Sequence, residues 1–498
     1  MASVLALDLG STQLKLMVMD ENARVVYLGT QGYPTQAPRA AYLEQRPQDW
    51  EQALERGMEE LSAKHGCDDI AAISFSGHMS GVVGLDAQGG LTGPCIMLAD
   101  SRSEEECVLL DRQVGSIVRE RTGNPIINAF SLPKLLWLKR NQPDAWKRTC
   151  QWVSPKDYLR FLLTGEIATE YTDAYNSLCI DYHTRGWCND IIAEAGLEKE
   201  KFPQVLSPDA LAGRVTQEAA RRFGLKAGVP VYAGGADMAC GALGMGLFDE
   251  GDSALTLGTC ATFLAPVADV NDAHFGEVTF HLHAVPGLMY ALGSHFNGGL
   301  AVNWLTSVLS EKGELDFDLI HQLSEGAKDL APGCGGLITL PYLAGSGSPY
   351  FSAIDRQTIL GLNPSVTRPQ MFKSELEGVT INLDQTKQAF DDKVPGGLRR
   401  VLLGGGGSKI GIWPQMIADV FGIAIDITAN ADASSVGAAL LGGTGCGLFE
   451  DAKKMADQCL AIKRSVAFDK DANAAYAALA QKYNQAYEAL HKLYQQLS

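Results

Sequence analysis

The chain has 498 residues, 46% of them hydrophobic and 20% charged, and a formal net charge of −17; that length exceeds what one hydrophobic core usually organises, so two domains are expected. No segment supplies a basic stripe, which argues against a nucleic-acid partner, and no apolar run is long enough to cross a bilayer, which argues against a membrane one. The eleven scattered cysteines form no Cys-x-x-Cys pair, and Met1 opens no leader-like segment, so a reduced, cytoplasmic protein is expected.

Residues 4–20 read as a hairpin: an apolar β-rich run, a tight turn at Leu9, Gly10, Ser11 and Thr12, then a second apolar run, with residues 25–29 extending the sheet. Pro47 opens a helix with Trp50, Leu54, Met58 and Leu61 at helical spacing. Residues 70–76 form a short strand that ends in the turn Gly77, His78, Met79, Ser80, Gly81. Helices are expected over 132–146 and 155–163, and a buried strand over 230–233. That strand runs into Gly234, Gly235, Ala236 and Asp237, and a helix of small residues comes next over 238–247. The polar stretch 249–252 marks the expected boundary, giving domains 1–247 and 248–498.

Beyond it, residues 252–267 repeat the opening design around Leu257, Gly258 and Thr259. The likeness suggests duplication of one domain. Residues 399–422 run a strand into Gly404 to Gly407 and then into a helix. Helices are expected over 374–388 and 413–421 and a strand over 424–427. A last helix, 472–497, carries Tyr476, Tyr483, Tyr487 and Leu497 in a stripe read as core or homodimer packing.

A Gly-Ser/Thr turn offers unpaired backbone N–H groups and a hydroxyl without bulk, the chemistry that holds phosphate oxygens. Two such turns fit a polyphosphate, and the four-glycine segment lets backbone approach a flat ligand. Phosphoryl transfer otherwise needs a metal, a positioned acceptor and a base. Asp8 ends a strand just before the first turn, where a carboxylate can hold magnesium, and Lys15 lies one hairpin away. Asp237, between a Gly-Gly-Ala turn and a helix, suits a general base, although an N-cap role fits the local sequence too. His281 and His283 alternate on a strand without a third metal ligand, so a satisfied histidine pair is expected.

Taken together, the motifs resemble the FGGY family of carbohydrate kinases nearly end to end, and xylulokinases most within it. Residues 7–12 are similar to the family's first phosphate motif and 257–259 to its second. The segment 404–422 is similar to its adenosine motif, 131–146 to its first signature, and 234–244 to its catalytic-aspartate motif. The resemblance implies the actin-like ATPase, ribonuclease H-like α/β fold: two domains, each with a mixed five-stranded sheet flanked by helices, and a cleft between them. It implies ATP and Mg2+, with Asp237 as the base that deprotonates a sugar hydroxyl and Asp8 organising magnesium. Gly10, Ser11, Thr12, Lys15, Gly258 and Thr259 would serve the phosphates, and Gly405, Gly406 and Gln415 the adenosine. His78, Met79, Ser80, Asp100, Arg102, Asp237 and Met238 would line the sugar. Ser80, Met238 and Leu98 depart from the usual xylulokinase residues, histidine, asparagine and tryptophan. The expected activity is ATP-dependent phosphorylation of a ketopentose, D-xylulose first. Other polyols or sugars (glycerol, erythritol, ribulose, fuculose), an actin-like ATPase without a sugar, and a sugar sensor are the alternatives.

Overall fold

The computed structural model describes residues 2–270, 274–429 and 432–497. The chain divides into two compact units: Met1–Phe248 with Phe280–Met289 and Asp432–Leu460, and Asp249–Thr279 with Tyr290–Ala431 and Ala461–Ser498. A single cut between 247 and 248 therefore does not describe the chain, because two later segments return to the first unit.

The first sheet is built from β1 (Ser3–Leu9), β2 (Gln13–Asp20), β3 (Val25–Gly32), β4 (Ile70–Gly77), β5 (Leu211–Arg214), β6 (Pro230–Tyr232) and β7 (Gly235–Ala236), in the order β5-β6-β4-β1-β2-β3 with β7 also on β4. β1 runs antiparallel to β2 and parallel to β4. Every residue of β1 is buried, as expected of a central strand covered on both faces. The second sheet contains β8 (Asp252–Leu257), β9 (Ala261–Val267), β10 (Thr279–Leu282), β11 (Met289–His295), β12 (Arg400–Gly404), β13 (Ile425–Thr428) and β14 (Ile462–Val466), ordered β10-β11-β9-β8-β12-β13-β14.

Each sheet thus has seven strands rather than the expected five. Five strands of each, β3-β2-β1-β4-β6 and β11-β9-β8-β12-β13, run in the same order in both sheets, so the likeness of the two opening hairpins extends to topology. The additions have local causes. Gly234 takes φ +76° where a Cβ would overlap Phe75 O, which breaks one strand path into β6 and β7. β5 and β14 are antiparallel edge strands that cover otherwise bare ladders.

Six helices carry or support the site residues: α1 (Pro47–Lys64), α2 (Ser131–Asn141), α3 (Pro155–Thr164), α4 (Asp237–Gly244), α5 (Ala433–Gly445) and α6 (Lys470–Leu497). α1 buries Trp50, Leu54, Met58 and Leu61, the stripe its spacing requires. The continuous helix expected over 132–146 is two helices: α2 stops at Asn141 and another begins at Pro143, whose ring removes an amide donor and crowds the preceding turn. The helix expected over 374–388 runs from Arg368 to Asp391, started by a capping box between Thr367 and Gln370. In α6 the stripe is half realised. Tyr476, Tyr483 and Tyr487 are buried, Tyr483 hydrogen-bonds Tyr342 at 2.7 Å, and Leu497 is 74% exposed.

α4 and α5 pack backbone to backbone within the first unit. A Cβ on Gly437 would overlap Cys240 O, and one on Gly244 would overlap Ala433 O. Gly437→Ala is therefore expected to force the two helices apart and cost about 3 kcal/mol. The check is a fall in the urea midpoint of the first unfolding transition that Ala438→Gly, on the same helix, does not reproduce.

Candidate active site

Strand register brings distant acids to one end of the first sheet. Asp8 lies opposite Lys15 on β2 and beside Ser76 on β4, and Ser76 is beside Gly235 on β7. Two steps of strand spacing, about 10 Å, thus separate Asp8 from the backbone that leads into Asp237. This is the carboxyl end of the parallel strands β1, β4 and β7, where open α/β sheets bind ligands.

Asp8 is buried, and its two oxygens have different neighbours. Oδ2 accepts from Ser434 Oγ at 2.8 Å and from Ser435 Oγ at 3.4 Å, and lies 3.4 Å from Lys15 Nζ. Oδ1 is buried with no hydrogen-bond partner among the described residues. Lys15 reaches Asp432 Oδ1 at 3.0 Å. Burial opposes its charge, but Asp8 and Asp432 together raise its pKa, so the side chain is a firm ammonium. α5 supplies Ser434 and Ser435, which explains why residues 432–460 belong to the first unit.

Asp237 opens α4, partly buried, with Oδ1 accepting its neighbour's Met238 N–H at 2.8 Å. Burial, then the charge of Asp8, then that of Asp173 push its carboxyl up to about 8, against smaller opposing effects of the Met238 amide and Lys15. A carboxyl held near neutral pH is what a general base requires.

Behind this corner sits a buried charge cluster. Lys156 Nζ on α3, shut from solvent, reaches Asp157 Oδ1 at 2.8 Å, Glu170 Oε1 at 3.2 Å and Asp173 Oδ2 at 3.4 Å. Arg160 adds a 2.5 Å contact to Asp157. Glu170 caps the helix Tyr171–Tyr175 through Thr172 N and Asp173 N, and Thr172 Oγ1 accepts from Ala236 N at 2.9 Å. The cluster thereby holds the residue before Asp237. Such clusters stand only when every charge is answered.

In the second unit, Gly258 and Thr259 are exposed at the end of β8. Gly405, at φ +84°, lies where a Cβ would overlap Leu257 O, so the four-glycine turn is pressed against the Gly-Thr turn. The backbone of Gly299 closes the same corner, donating from its N–H to Gly258 O at 2.7 Å, and Leu300 N–H donates to Thr259 O at 2.9 Å. Gly405 and Gly406 are exposed there. Gln415 stands apart on the helix Trp413–Phe421, its amide donating to Asp419 Oδ1 at 2.8 Å and Ala467 O at 2.9 Å.

Among the residues expected to meet a sugar, His78 comes directly after β4, its ring buried edge-on to Trp50 and both nitrogens without a partner among the described residues. Burial lowers its pKa to about 4, so it is neutral. Ser80, at φ +63°, has a buried hydroxyl with no such partner, and its carbonyl accepts from Ser131 Oγ at 3.1 Å. Met79 is buried, and Met238 is half-buried beside Asp237. Asp100 and Arg102 answer each other instead. Arg102 Nη2 lies 2.6 Å from Asp100 Oδ2 and Nη1 2.7 Å from Glu44 Oε1, and its guanidinium covers the Tyr42 ring at 3.7 Å. Their geometry makes them braces of the loop.

Lys134, Asp173 and Gly299 were not expected from the sequence. Lys134 is buried and donates to Asn128 O at 2.7 Å, Phe130 O at 3.1 Å and Leu98 O at 3.5 Å, tying the Leu98 loop to the start of α2. The paired glycines Gly298 and Gly299 after β11 were the one local signal available. Asp173 had none. His281 is satisfied by Asn176 Oδ1 at 3.0 Å, and no cluster of three metal-ligating side chains exists among the described residues.

Residues 3–244 match the N-terminal domain and residues 253–446 the C-terminal domain of the FGGY family of carbohydrate kinases. The xylulose kinase of Bacillus subtilis (strain 168) is 30% identical over 470 residues, covering 94% of this chain and 93% of the relative. That of Lactococcus lactis subsp. lactis (strain IL1403) is 31% identical over 500 residues, covering 100% and 97%. The crystal structure of xylulose kinase from Rhodospirillum rubrum superposes with a TM-score of 0.90 at 26% identity, covering 99% of this chain and 100% of that one. The paired mixed sheets are those of the actin-like ATPase fold, and with both domain matches in sequence the chain belongs to the FGGY family of carbohydrate kinases, enzymes that transfer phosphate to an alcohol group.

Proposed function

We propose that the chain phosphorylates a ketopentose at the expense of ATP, with D-xylulose as the acceptor, and that Asp237 is the base. The observation that carries the reading is the Asp237 carboxyl, held up to about 8 at the carboxyl end of the first sheet with the Asp8 charge nearby. The relatives described above as xylulose kinases support the choice of sugar. The acceptor oxygen attacks the γ-phosphorus while the bond from that phosphorus to the bridging oxygen breaks and ADP leaves. The acceptor proton passes to Asp237. Lys15 supplies positive charge for the transferred group, and the turns offer the hydroxyls of Ser11, Thr12 and Thr259 to phosphate oxygens, while Gly10 and Gly258, whose N–H groups donate to Gln13 O and Cys260 O, leave room for them.

Magnesium fits Asp8: Oδ1 is a buried carboxylate oxygen without a hydrogen bond, and a magnesium ion takes one or two carboxylates and completes its shell with phosphates and water. When bound it would neutralise phosphate charge. Gly405 and Gly406, with Gln415, are assigned to the adenosine. A cytoplasmic location and a homodimer through α6 belong to the same proposal.

Asp237→Ala should lower kcat by about 10²–10⁴-fold while ATP binding, read by calorimetry, stays near wild type; unchanged turnover would remove the base. A coupled ADP assay over pentuloses, tetritols and glycerol should give D-xylulose the highest kcat/KM, and a higher value for another acceptor would replace the assigned sugar. The raised pKa also sets the pH dependence. Below about 8 the base is protonated, so kcat/KM should rise with pH and level off above that value. For stability the sign is opposite. Between 3.8, its ordinary value, and about 8 the native state holds a proton that the unfolded chain has released, so stability falls as pH rises through that window. Asp237→Asn should then melt higher than wild type at pH 8.5 in metal-free buffer, with the gap closing toward pH 4.

A further inference from the structure

A cavity of about 50 Å³ lies wholly within the first unit, among α2, the strand Gln151–Val153, the helix Tyr171–Tyr175 and the residues Trp187 and Phe202 on either side of the helix Asn189–Glu194. Trp152, Trp187, Phe202, Val82 and Leu135 give it apolar walls, and Ser131, Thr169 and Asp173 add polar ones. One nine-tenths buried residue on its wall has an unsatisfied polar atom: no hydrogen bond from a described residue reaches Trp152 Nε1, while Asp173 Oδ2 has no hydrogen bond but lies 3.4 Å from Lys156 Nζ. The space holds a handful of waters, about 100–150 Å³ of liquid, which is the displacement of a three- or four-carbon molecule.

The chemistry of the walls selects the occupant. An anion would meet the Asp173 carboxyl and no unpaired cation, because Lys156 is already shared among three acids. A metal ion would find one carboxylate, with an ammonium 3.4 Å behind it. A purely apolar molecule would leave Trp152 Nε1 unpaired and give Asp173 Oδ2 no hydrogen bond, which is unfavourable for buried polar groups. Aromatic walls with a few convergent donors and acceptors suit a small neutral molecule rich in hydroxyls. We propose that this cavity is an accessory binding site for a small neutral polyol, distinct from the phosphoryl acceptor site. Its occupant would touch Ser131, which hydrogen-bonds the Ser80 carbonyl, and Asp173, whose neighbour Thr172 holds the Ala236 amide. The site does not depend on which sugar is phosphorylated.

Indole N–H resonances of the ¹⁵N-labelled full chain test it, with glycerol as the probe. The Trp152 and Trp187 signals are assigned with Trp152→Phe and Trp187→Phe. Each should shift along a saturating curve as glycerol is added, with and without D-xylulose, while Trp304 and Trp413, far along the chain in the second unit, stay put. Ala174→Leu, which pushes a larger side chain from the cavity wall, should abolish the saturating shift and keep wild-type turnover. Val82→Ile, a one-methylene intrusion that guards against misfolding of the first variant, should raise the midpoint at least threefold. Shifts that stay linear in glycerol, that vanish when D-xylulose is added, or that persist unchanged in both variants would overturn the proposal. None of these outcomes bears on Asp237, whose loss is read by ADP release.

Discussion

The contact between α4 and α5 is the constraint on which the first unit's chemistry rests. Only because Gly244 and Gly437 lack side chains can the two backbones meet. That approach sets two things together: it fixes the helix that Asp237 opens, and it presents Ser434 and Ser435 to Asp8 Oδ2. It also brings Asp432 within 3.0 Å of Lys15. A residue-sized gap at this crossing would loosen the acid, the lysine and the hydroxyls at once, because packed interiors transmit displacement rather than absorb it.

Electrostatics then divides the labour between two carboxylates. Asp8 is answered by two hydroxyls and an ammonium, while Asp237 has one amide and two like charges nearby. Different surroundings of this kind are how one site can hold a ligand with one carboxylate and take a proton on another. The Lys156 cluster supports the difference. Its three acids and two bases are shut from water, so truncating any one would leave a buried charge unpaired, and their order is carried to Asp237 through Glu170, Thr172 and Ala236.

How much of this was legible depends on the range of the interaction. The Gly-Gly-Ala-Asp corner and the glycine run after β12 declare themselves locally, because Gly234 and Gly405 hold positive φ where a Cβ would overlap a backbone oxygen; the Leu-Gly-Ser and Leu-Gly-Thr turns show as short breaks between apolar runs. The repeat of the opening hairpin at 252–267 foretold two sheets of one topology. The sequence failed where a partner lies far along the chain. The partners of Asp100 and Arg102, Leu43 N and Glu44, lie some 57 residues away and left no local mark. Asp173 showed no local mark, since its setting is made by a lysine on another helix.

The amino-acid order alone determined the elements and their glycine-marked ends: which strands pair as hairpins, where Asp8 and Asp237 stand relative to turns, and that both halves share a design. These come from steric rules that act within a few residues. Tertiary structure alone decided that residues 432–460 return to the first unit, that Asp8 is answered by serines more than 400 positions away, and that burial and like charge raise the Asp237 carboxyl. Those outcomes depend on desolvation and on through-space fields, and both are set by what folding places nearby rather than by the neighbours in the chain.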